Sequence, residues 1–461
     1  MLPQRLNLYC LIAVISWTQP CRAENRVDAA IASVTAAELY EHVVTLADDM
    51  FEGRSVGSRG GRAAGQYIVG KLQRSTLTPA GVDGDYYQPC DRGGRNVLAV
   101  WPGSDPLLRD EYIVVGAHYD HVGDGRQGHA LGAIGRIYNG ADDNASGVAE
   151  LLEFIEALSD HTVPTRRSIL FAFWDGEEQG LLGSKDWVAG PTVPLRSVRL
   201  AINIDMVGRL RGGRLEVLGT RTGYGLRRLV SGAVADPLWL NFSWELAANS
   251  DHWPFVERQV PIVMIHTGLH DDYHRPSDDV EKINRQGMQQ VGRYLLATIV
   301  AAANADELPA YRPAGRGEAL VAQRSWGRQP SRGMQTTRLI VQREPGRAPS
   351  SEPNRAFLGE PGRPRPRLGI SWRTDDAEPA SVYLTQVVAG SPAAAAGLAV
   401  EMRVYAVNGQ PFADGDEFRE IVLGLLDAGV AELTMTVESR GHVRTITIHW
   451  QPPTLAAKPA A

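Results

Sequence analysis

Metal-competent side chains stand at or just past the ends of the most apolar runs in this chain. His118 and Asp120 follow Tyr112-Ile-Val-Val-Gly-Ala, and Asp143 lies inside Asn139-Gly-Ala-Asp-Asp-Asn-Ala-Ser-Gly147. Glu177 and Glu178 follow Ile169-Leu-Phe-Ala-Phe-Trp-Asp-Gly176, Asp205 follows Leu200-Ala-Ile-Asn-Ile, and His274 lies in Tyr273-His-Arg-Pro-Ser-Asp278. Gathered together, two imidazoles and three carboxylates suit a pair of zinc ions, with one carboxylate left over as a base.

Each signal has its own chemistry. His118 and Asp120 are two apart at a strand end, so alternation points both to one face. The natural division puts His118 on a metal and the Asp120 carboxylate behind it, fixing its tautomer; a surface His–Asp pair is the plainer reading. Asp143 is either part of a capped turn or a carboxylate bridging two ions roughly 3.5–4 Å apart, with Asp142 the competitor for that role. Glu177 and Glu178 repel one another, which raises one pKa unless a cation is near. Glu178 as ligand and Glu177 as general base fits that pair. An unpaired Asp205 at the end of an apolar strand would be costly. His274 shares its loop with His266, His270, Asp271, Asp272 and Asp278, and composition alone does not choose among them.

The elements that must position these groups follow from periodicity. Short apolar runs rich in β-branched and aromatic residues predict buried parallel strands. Ligands gather past the C-terminal ends of such strands in open α/β sheets. Helical spacing runs through Val34–Leu46, Gly61–Leu72 and Ile283–Ala302, and Ser146 can cap a helix reaching Leu158. Strand–helix alternation over residues 24–305 predicts one α/β domain, a mostly parallel mixed sheet with helices on both faces. Residues 306–365 are rich in Arg, Pro and Gly and predict a flexible linker, with Leu339–Gln342 its single strand-like piece. Residues 366–451 regain strands, a short helix after Gly390-Ser-Pro, and a hairpin signal at Asn408-Gly409. Residues 452–461 form a tail.

Composition narrows the setting. Arg5 precedes an apolar stretch from Leu6 to Trp17, and Ala23 offers a small residue before a cut, the pattern of a signal peptide over residues 1–23. That stretch is short for a membrane span, so the expectation is an exported protein, periplasmic or secreted, with no stable span after cleavage. Beyond the leader only Cys90 remains, so no internal disulfide is expected. The formal charge of −6 becomes −8 when Arg5 and Arg22 leave with the leader. Residues 311–367 hold twelve Arg and four Glu, a local +8, so the rest of the mature chain is near −16. An acidic body disfavours nucleic acid as a partner.

With Gly116-Ala-His-Tyr-Asp-His121, Asn139–Gly147, Trp174-Asp-Gly-Glu-Glu-Gln-Gly-Leu-Leu-Gly-Ser184, Asn203-Ile-Asp-Met206, Ser250-Asp-His-Trp-Pro-Phe255 and Tyr273–Asp278 in this order, the chain resembles the co-catalytic zinc aminopeptidases. Their relatives include secreted bacterial aminopeptidases, glutamate carboxypeptidase and glutaminyl cyclase. Phe51-Glu-Gly-Arg-Ser-Val-Gly-Ser58 looks like the start of that family, and the likeness covers roughly residues 35–303. The resemblance implies that Asp143, not Asp142, is the bridge. It implies one zinc on His118 and Asp205 and the other on Glu178 and His274, with Glu177 as base and Tyr273 steadying an oxyanion. Arg275 stands where the family often has Thr.

The C-terminal unit resembles a PDZ domain, with Leu368-Gly-Ile370 as carboxylate loop and Val407-Asn-Gly409 as hairpin, although Glu401-Met402 replaces the usual Gly-Asp. The resemblances together imply an exported di-zinc aminopeptidase acting on peptides, with a tethered module for a C-terminal peptide ligand. Two rivals remain in the sequence. A single-zinc glutaminyl cyclase would use Asp143, Glu178 and His274, though a Trp usually stands where this chain has Tyr273. A non-catalytic binding ectodomain is the other.

Overall fold

The computed structural model describes residues 19–126, 129–235, 237–244, 246–318 and 368–449. The leader expected at residues 1–23 lies largely outside them, as do Leu339–Gln342 and the tail. No helix among the described residues is long and apolar enough to cross a membrane. By its internal contacts the chain divides into two units, Met1–Glu216 with Ala248–Leu308, and Val217–Ala247 with Pro309–Ala461.

The first unit is built on strands β1 (Arg95–Trp101), β2 (Tyr112–His118), β3 (Ser168–Trp174), β4 (Val198–Ile204) and β5 (Ile262–His266). They lie in the order β1-β3-β2-β4-β5. β3, β2, β4 and β5 are parallel, whereas β1 runs antiparallel to β3. Thr78–Pro79 and Tyr87–Pro89 add two short antiparallel pairings to β1. Every residue of β3 is buried, as an apolar run covered on both faces requires.

Helix α1 (Ala36–Leu46) is capped by Thr35, whose hydroxyl accepts from the Glu38 N–H. Ser58 caps α2 (Arg59–Leu72) in the same way. Helix α3 (Gly147–Asp160) starts as expected, but Ser146 does not cap it through its side chain. The Ser146 hydroxyl donates to the Asp142 carbonyl at 2.7 Å, and the Asn144 side chain accepts the Gly147 N–H at 3.0 Å. Asn284 caps the last helix of this unit, α4 (Arg285–Asn304).

The second unit joins the C-terminal residues to the segment 217–247, which a single boundary at 305 would have assigned to the first domain. Strands β6 (Ile370–Arg373), β7 (Val382–Val387), β8 (Arg403–Val407), β9 (Glu432–Ser439) and β10 (His442–His449) form an antiparallel sheet in that order. Helix α5 (Gly415–Asp427) contributes Phe418 and Val422 to its core beside Leu384, Val404 and Met435. Asn408 and Gly409 take φ of 49° and 75°, and Arg440 and Gly441 take 54° and 89°, the left-handed pairs that two-residue hairpins need.

Segment 217–247 is tied in by ions and by backbone. Arg221 pairs with Asp375 at 2.8 Å and Arg227 with Glu438 at 2.9 Å. The Leu240 N–H donates to Arg440 O at 2.8 Å. The start of the expected linker is ordered for the same reason. Gly223 and Tyr311 form a β-bridge, and Glu318 pairs with both Arg221 and Arg312. Two arginines sharing one carboxylate hold residues that composition alone marks as linker.

Candidate active site

Because β2, β3 and β4 are parallel, their C-terminal ends share one edge of the sheet. His118 is the last residue of β2 and lies opposite Trp174, the last of β3. Glu177–Gln179 form a 3-10 turn just beyond β3, and Asp205 follows Ile204 at the end of β4. Three predicted groups thus converge without any long-range adjustment of the chain.

The donor atoms fall into two trios that share Asp143. His118 Nε2 lies 3.3 Å from Asp143 Oδ1 and 3.4 Å from Asp205 Oδ1. His274 Nε2 lies 3.1 Å from Asp143 Oδ2 and 3.0 Å from Glu178 Oε2. All five residues are buried. The far nitrogen of each ring faces a backbone carbonyl: His118 Nδ1 is 3.2 Å from Asp120 O, and His274 Nδ1 is 3.1 Å from His129 O. A proton on Nδ1 satisfies those carbonyls and leaves each Nε2 lone pair aimed at two carboxylates. Lone pair against anion is repulsive; a divalent cation relieves that repulsion, and without one a second ring proton does the same. The residues therefore fit one metal ion in each trio.

The loop that carries Asp143 is held from every side. The Asp278 carboxylate accepts the N–H groups of Asp142 and Asp143, both at 3.0 Å. Asn144 donates to Ile204 O at 2.9 Å and accepts from Met206 N at 3.1 Å, which locks the loop to the end of β4 beside Asp205. Arg54, fully buried, donates to the carbonyls of Tyr119, Leu46, Asn139 and Gly140. Asp142 is turned away. Its Oδ1 accepts the Gly208 N–H at 2.6 Å and its Oδ2 faces His270 at 3.1 Å. The structure thus places Asp143 between the imidazoles and gives Asp142 a supporting role.

Asp120 sits otherwise than alternation suggests. Its carboxylate is 3.7 Å from His118 Nδ1, further than its own carbonyl. The carboxylate instead accepts the N–H of Glu177 at 2.9 Å and of Glu178 at 3.3 Å. It organises the acidic turn, and the backbone fixes the His118 tautomer. Tyr273 stacks flat on His274, ring centroids 3.8 Å apart. His274 itself has φ 51°, a left-handed strain held by the Leu131 N–H on its carbonyl at 2.7 Å.

Residues 96–299 match the family model for Peptidase family M28. Over that stretch the chain is similar to the M28 peptidases. Over 239 residues the chain is 26% identical to Leupeptin-inactivating enzyme 1 of Streptomyces exfoliatus, covering 52% of this chain and 49% of that one. It is 28% identical over 214 residues to Aminopeptidase YwaD of Bacillus subtilis (strain 168), covering 44% of each. The chain thus spans about half the length of these curated relatives. Among solved structures, the Legionella pneumophila LapA aminopeptidase superposes with TM-score 0.48 at 17% identity, covering 66% of this chain and 81% of that one.

The electrostatics of the site follow from its burial. Desolvation opposes a charged His118, but Asp205, Glu177, Asp120 and Asp143 outweigh it and raise its pKa. Burial likewise opposes the His274 cation, yet Asp143 and Glu178 push its pKa up to about 10. Desolvation raises the Glu177 carboxyl well above the usual range, helped by Glu178, Asp251 and Asp205. Glu178 moves the other way: burial disfavours its charge, but His121 and His274 hold it below the ordinary value. The environments of the adjacent pair are thus pushed apart, the pattern of an acid–base group beside a ligand.

Two residues near the centre were not read from the sequence. His121 Nδ1 lies 2.8 Å from Glu178 Oε1, both side chains buried. Its place directly after Asp120 breaks the alternation that marked His118, so spacing gave no signal. Asp251, buried beside Ser184, is pushed up to about 7 chiefly by burial. It lies within a motif already noted for its family likeness, Ser250–Phe255. Of the other acids and imidazoles around His274, His266 accepts the Gly268 N–H, and Asp272 pairs with Lys282 and Arg209. They shape the loop and do not join the trios.

Proposed function

We propose that the M28-like domain is a zinc-dependent aminopeptidase that removes N-terminal residues from peptides. The observation that carries this reading is the pair of trios sharing Asp143, with Glu177 beside them. His118, Asp143 and Asp205 would hold one ion, and Asp143, Glu178 and His274 the other. The presence of a complete first trio supports two ions over the single ion of a glutaminyl cyclase. Bound zinc supplies an acidified water and polarises the scissile carbonyl.

The chain's own residues do the rest. Glu177, held by Asp120 at the rim of the trios, accepts the proton of the attacking water and returns it to the leaving amine. Tyr273, in the field of Asp143 and Glu178, keeps its proton because burial and those charges raise its pKa. It can then donate to the oxyanion that forms.

The finer proposals concern setting and docking. The leader pattern supports export to the periplasm or beyond. A C-terminal peptide is proposed to add to β6, the terminal strand of its sheet, ahead of which Gly369 takes φ 82° in Leu368-Gly-Ile370. Trp372 of β6 meets Phe418 of α5 edge-on at 5.0 Å, as a PDZ-type strand and helix would. Glu401, where the usual pattern has Gly, is held at φ 75°.

The test is hydrolysis of aminoacyl p-nitroanilides by purified protein, before and after chelation, with zinc content measured alongside. Activity that disappears with chelator and returns with zinc is expected. Zinc-replete, folded protein with no hydrolysis of any aminoacyl or peptide substrate would overturn the reading.

A further inference from the structure

We infer that His121 and Ser250 are positioning residues that make Glu178 and Asp205 each offer a single oxygen to their metal. The inference rests on the two-ion reading above.

The three carboxylates of the centre are sorted by what their second oxygens touch. Asp143 turns both oxygens to the imidazoles, Oδ1 to His118 at 3.3 Å and Oδ2 to His274 at 3.1 Å. Glu178 divides its oxygens. Oε2 is 3.0 Å from His274 Nε2, while Oε1 is 2.8 Å from His121 Nδ1. Asp205 divides in the same way, with Oδ1 3.4 Å from His118 Nε2 and Oδ2 2.6 Å from Ser250 Oγ.

The donor directions are fixed by chemistry. An ionised carboxylate only accepts, so the proton between His121 and Glu178 belongs to Nδ1. Asn203 Nδ2 donates to Ser250 Oγ at 2.7 Å, which turns the serine hydroxyl proton toward Asp205. The His121 ring is also wedged in place, since a Cβ on Gly140 would lie 2.6 Å from its ring carbons.

His121 could instead be a ligand itself. Its Nδ1 stands 3.8 Å from Asp143 Oδ2, against 3.1 Å for His274 Nε2, so His274 is the better-placed imidazole. The consequence of the capping donors is an open place at each ion. Catalytic zinc takes three protein ligands and leaves the fourth position free. A carboxylate released to bind through both oxygens would fill that position.

The test uses full-length protein. His121→Leu should lose about 10–100-fold in affinity for one of its two zinc equivalents, the usual cost of deleting a donor behind a ligand. His121→Asn should restore it, because the Asn Nδ2 stands where the imidazole Nδ1 stood. Ser250→Ala should weaken the other equivalent. In cobalt-loaded protein, His121→Leu should also weaken the visible d–d absorption as a second oxygen enters the shell. If Leu at 121 prevents folding, His121→Gln, with its donor displaced by one carbon, takes its place in the comparison.

Unchanged affinity or an unchanged cobalt spectrum in His121→Leu overturns the inference. So does an Asn variant as impaired as Leu, which would make His121 a ligand. Wild-type protein that takes up no zinc at all would instead bring down the two-ion reading, and this inference with it.

Discussion

Asp120 accepts the backbone N–H of Glu177 at 2.9 Å, so the strand that ends in His118 also fixes the turn that carries the proposed base. Asp120→Ala frees that turn while leaving the carbonyl that faces His118. Turnover should fall about 10–100-fold, as removal of such supporting groups usually costs, with both zinc equivalents retained. Steady-state kinetics beside metal analysis decides it. An unchanged kcat would mean that the turn holds itself.

The roles of the two adjacent glutamates separate by substitution. Glu177→Gln should retain zinc and lose roughly 10²–10⁴-fold in kcat, the span of a positioned general base. Glu178→Gln should lose zinc instead, because Glu178 Oε2 completes the trio with His274 and Asp143. The reverse outcome would exchange the assignments.

Asp143 and Asp142 offer a sharper comparison, because they are neighbours with opposite surroundings. Asp143→Ala removes an oxygen from both trios and should abolish stable binding of both ions. Asp142→Ala leaves the trios intact but strands the Gly208 N–H, buried without its acceptor. That is worth about 1–3 kcal/mol of stability. Metal content and thermal melting should therefore move in opposite patterns in the two variants. Equal zinc loss in both would remove the distinction.

How far the sequence reached follows from these same residues. The strands were legible because each is a run of buried apolar residues, and the parallel sheet then brings His118, Glu178 and Asp205 to one edge. The choice of Asp143 over Asp142 came from family likeness; its physical reason, the grip of Asp278 and Asn144 on the loop, joins residues 60 and 135 positions apart and leaves no local pattern. The same holds for His121, whose partner Glu178 is 57 residues away. The ordering of residues 309–318 was hidden because their composition reads as linker, while Arg221 and Arg312 act through Glu318.

Acid should destabilise the second unit in a definable window. Burial raises the Asp375 pKa, but Arg403 and Arg221 outweigh it and bring the value down from 3.8 to about 2. A depressed folded-state pKa means that the stabilisation is present above the unfolded value and is lost as pH falls from about 4 to about 2. The linkage is worth roughly 2 kcal/mol. Denaturant midpoints at pH 7 and pH 3 should show that extra sensitivity in wild type, and Asp375→Asn should be less stable at pH 7 with a flatter profile. A variant as pH-sensitive as wild type would move the acid lability elsewhere.

The division of the chain also predicts what truncation does. A linker of this composition suggests that a protein ending at residue 305 keeps its peptidase domain whole. The contacts of segment 217–247 argue otherwise. Leu226, Val230 and Leu240 are buried in the second unit, and Leu240 packs where a Cβ on Gly441 would lie 2.6 Å away. Arg221 and Arg227 would lose Asp375 and Glu438. Exposing three such side chains costs about 1.5–3 kcal/mol each, a large part of the 5–15 kcal/mol that holds a typical domain together. Protein ending at 305 should therefore melt lower, bind a hydrophobic dye through segment 217–247 and lose activity even on small substrates. A truncated protein that keeps the full-length melting temperature and kcat on an aminoacyl p-nitroanilide would show that segment 217–247 needs no partner and that the C-terminal unit is a dispensable module.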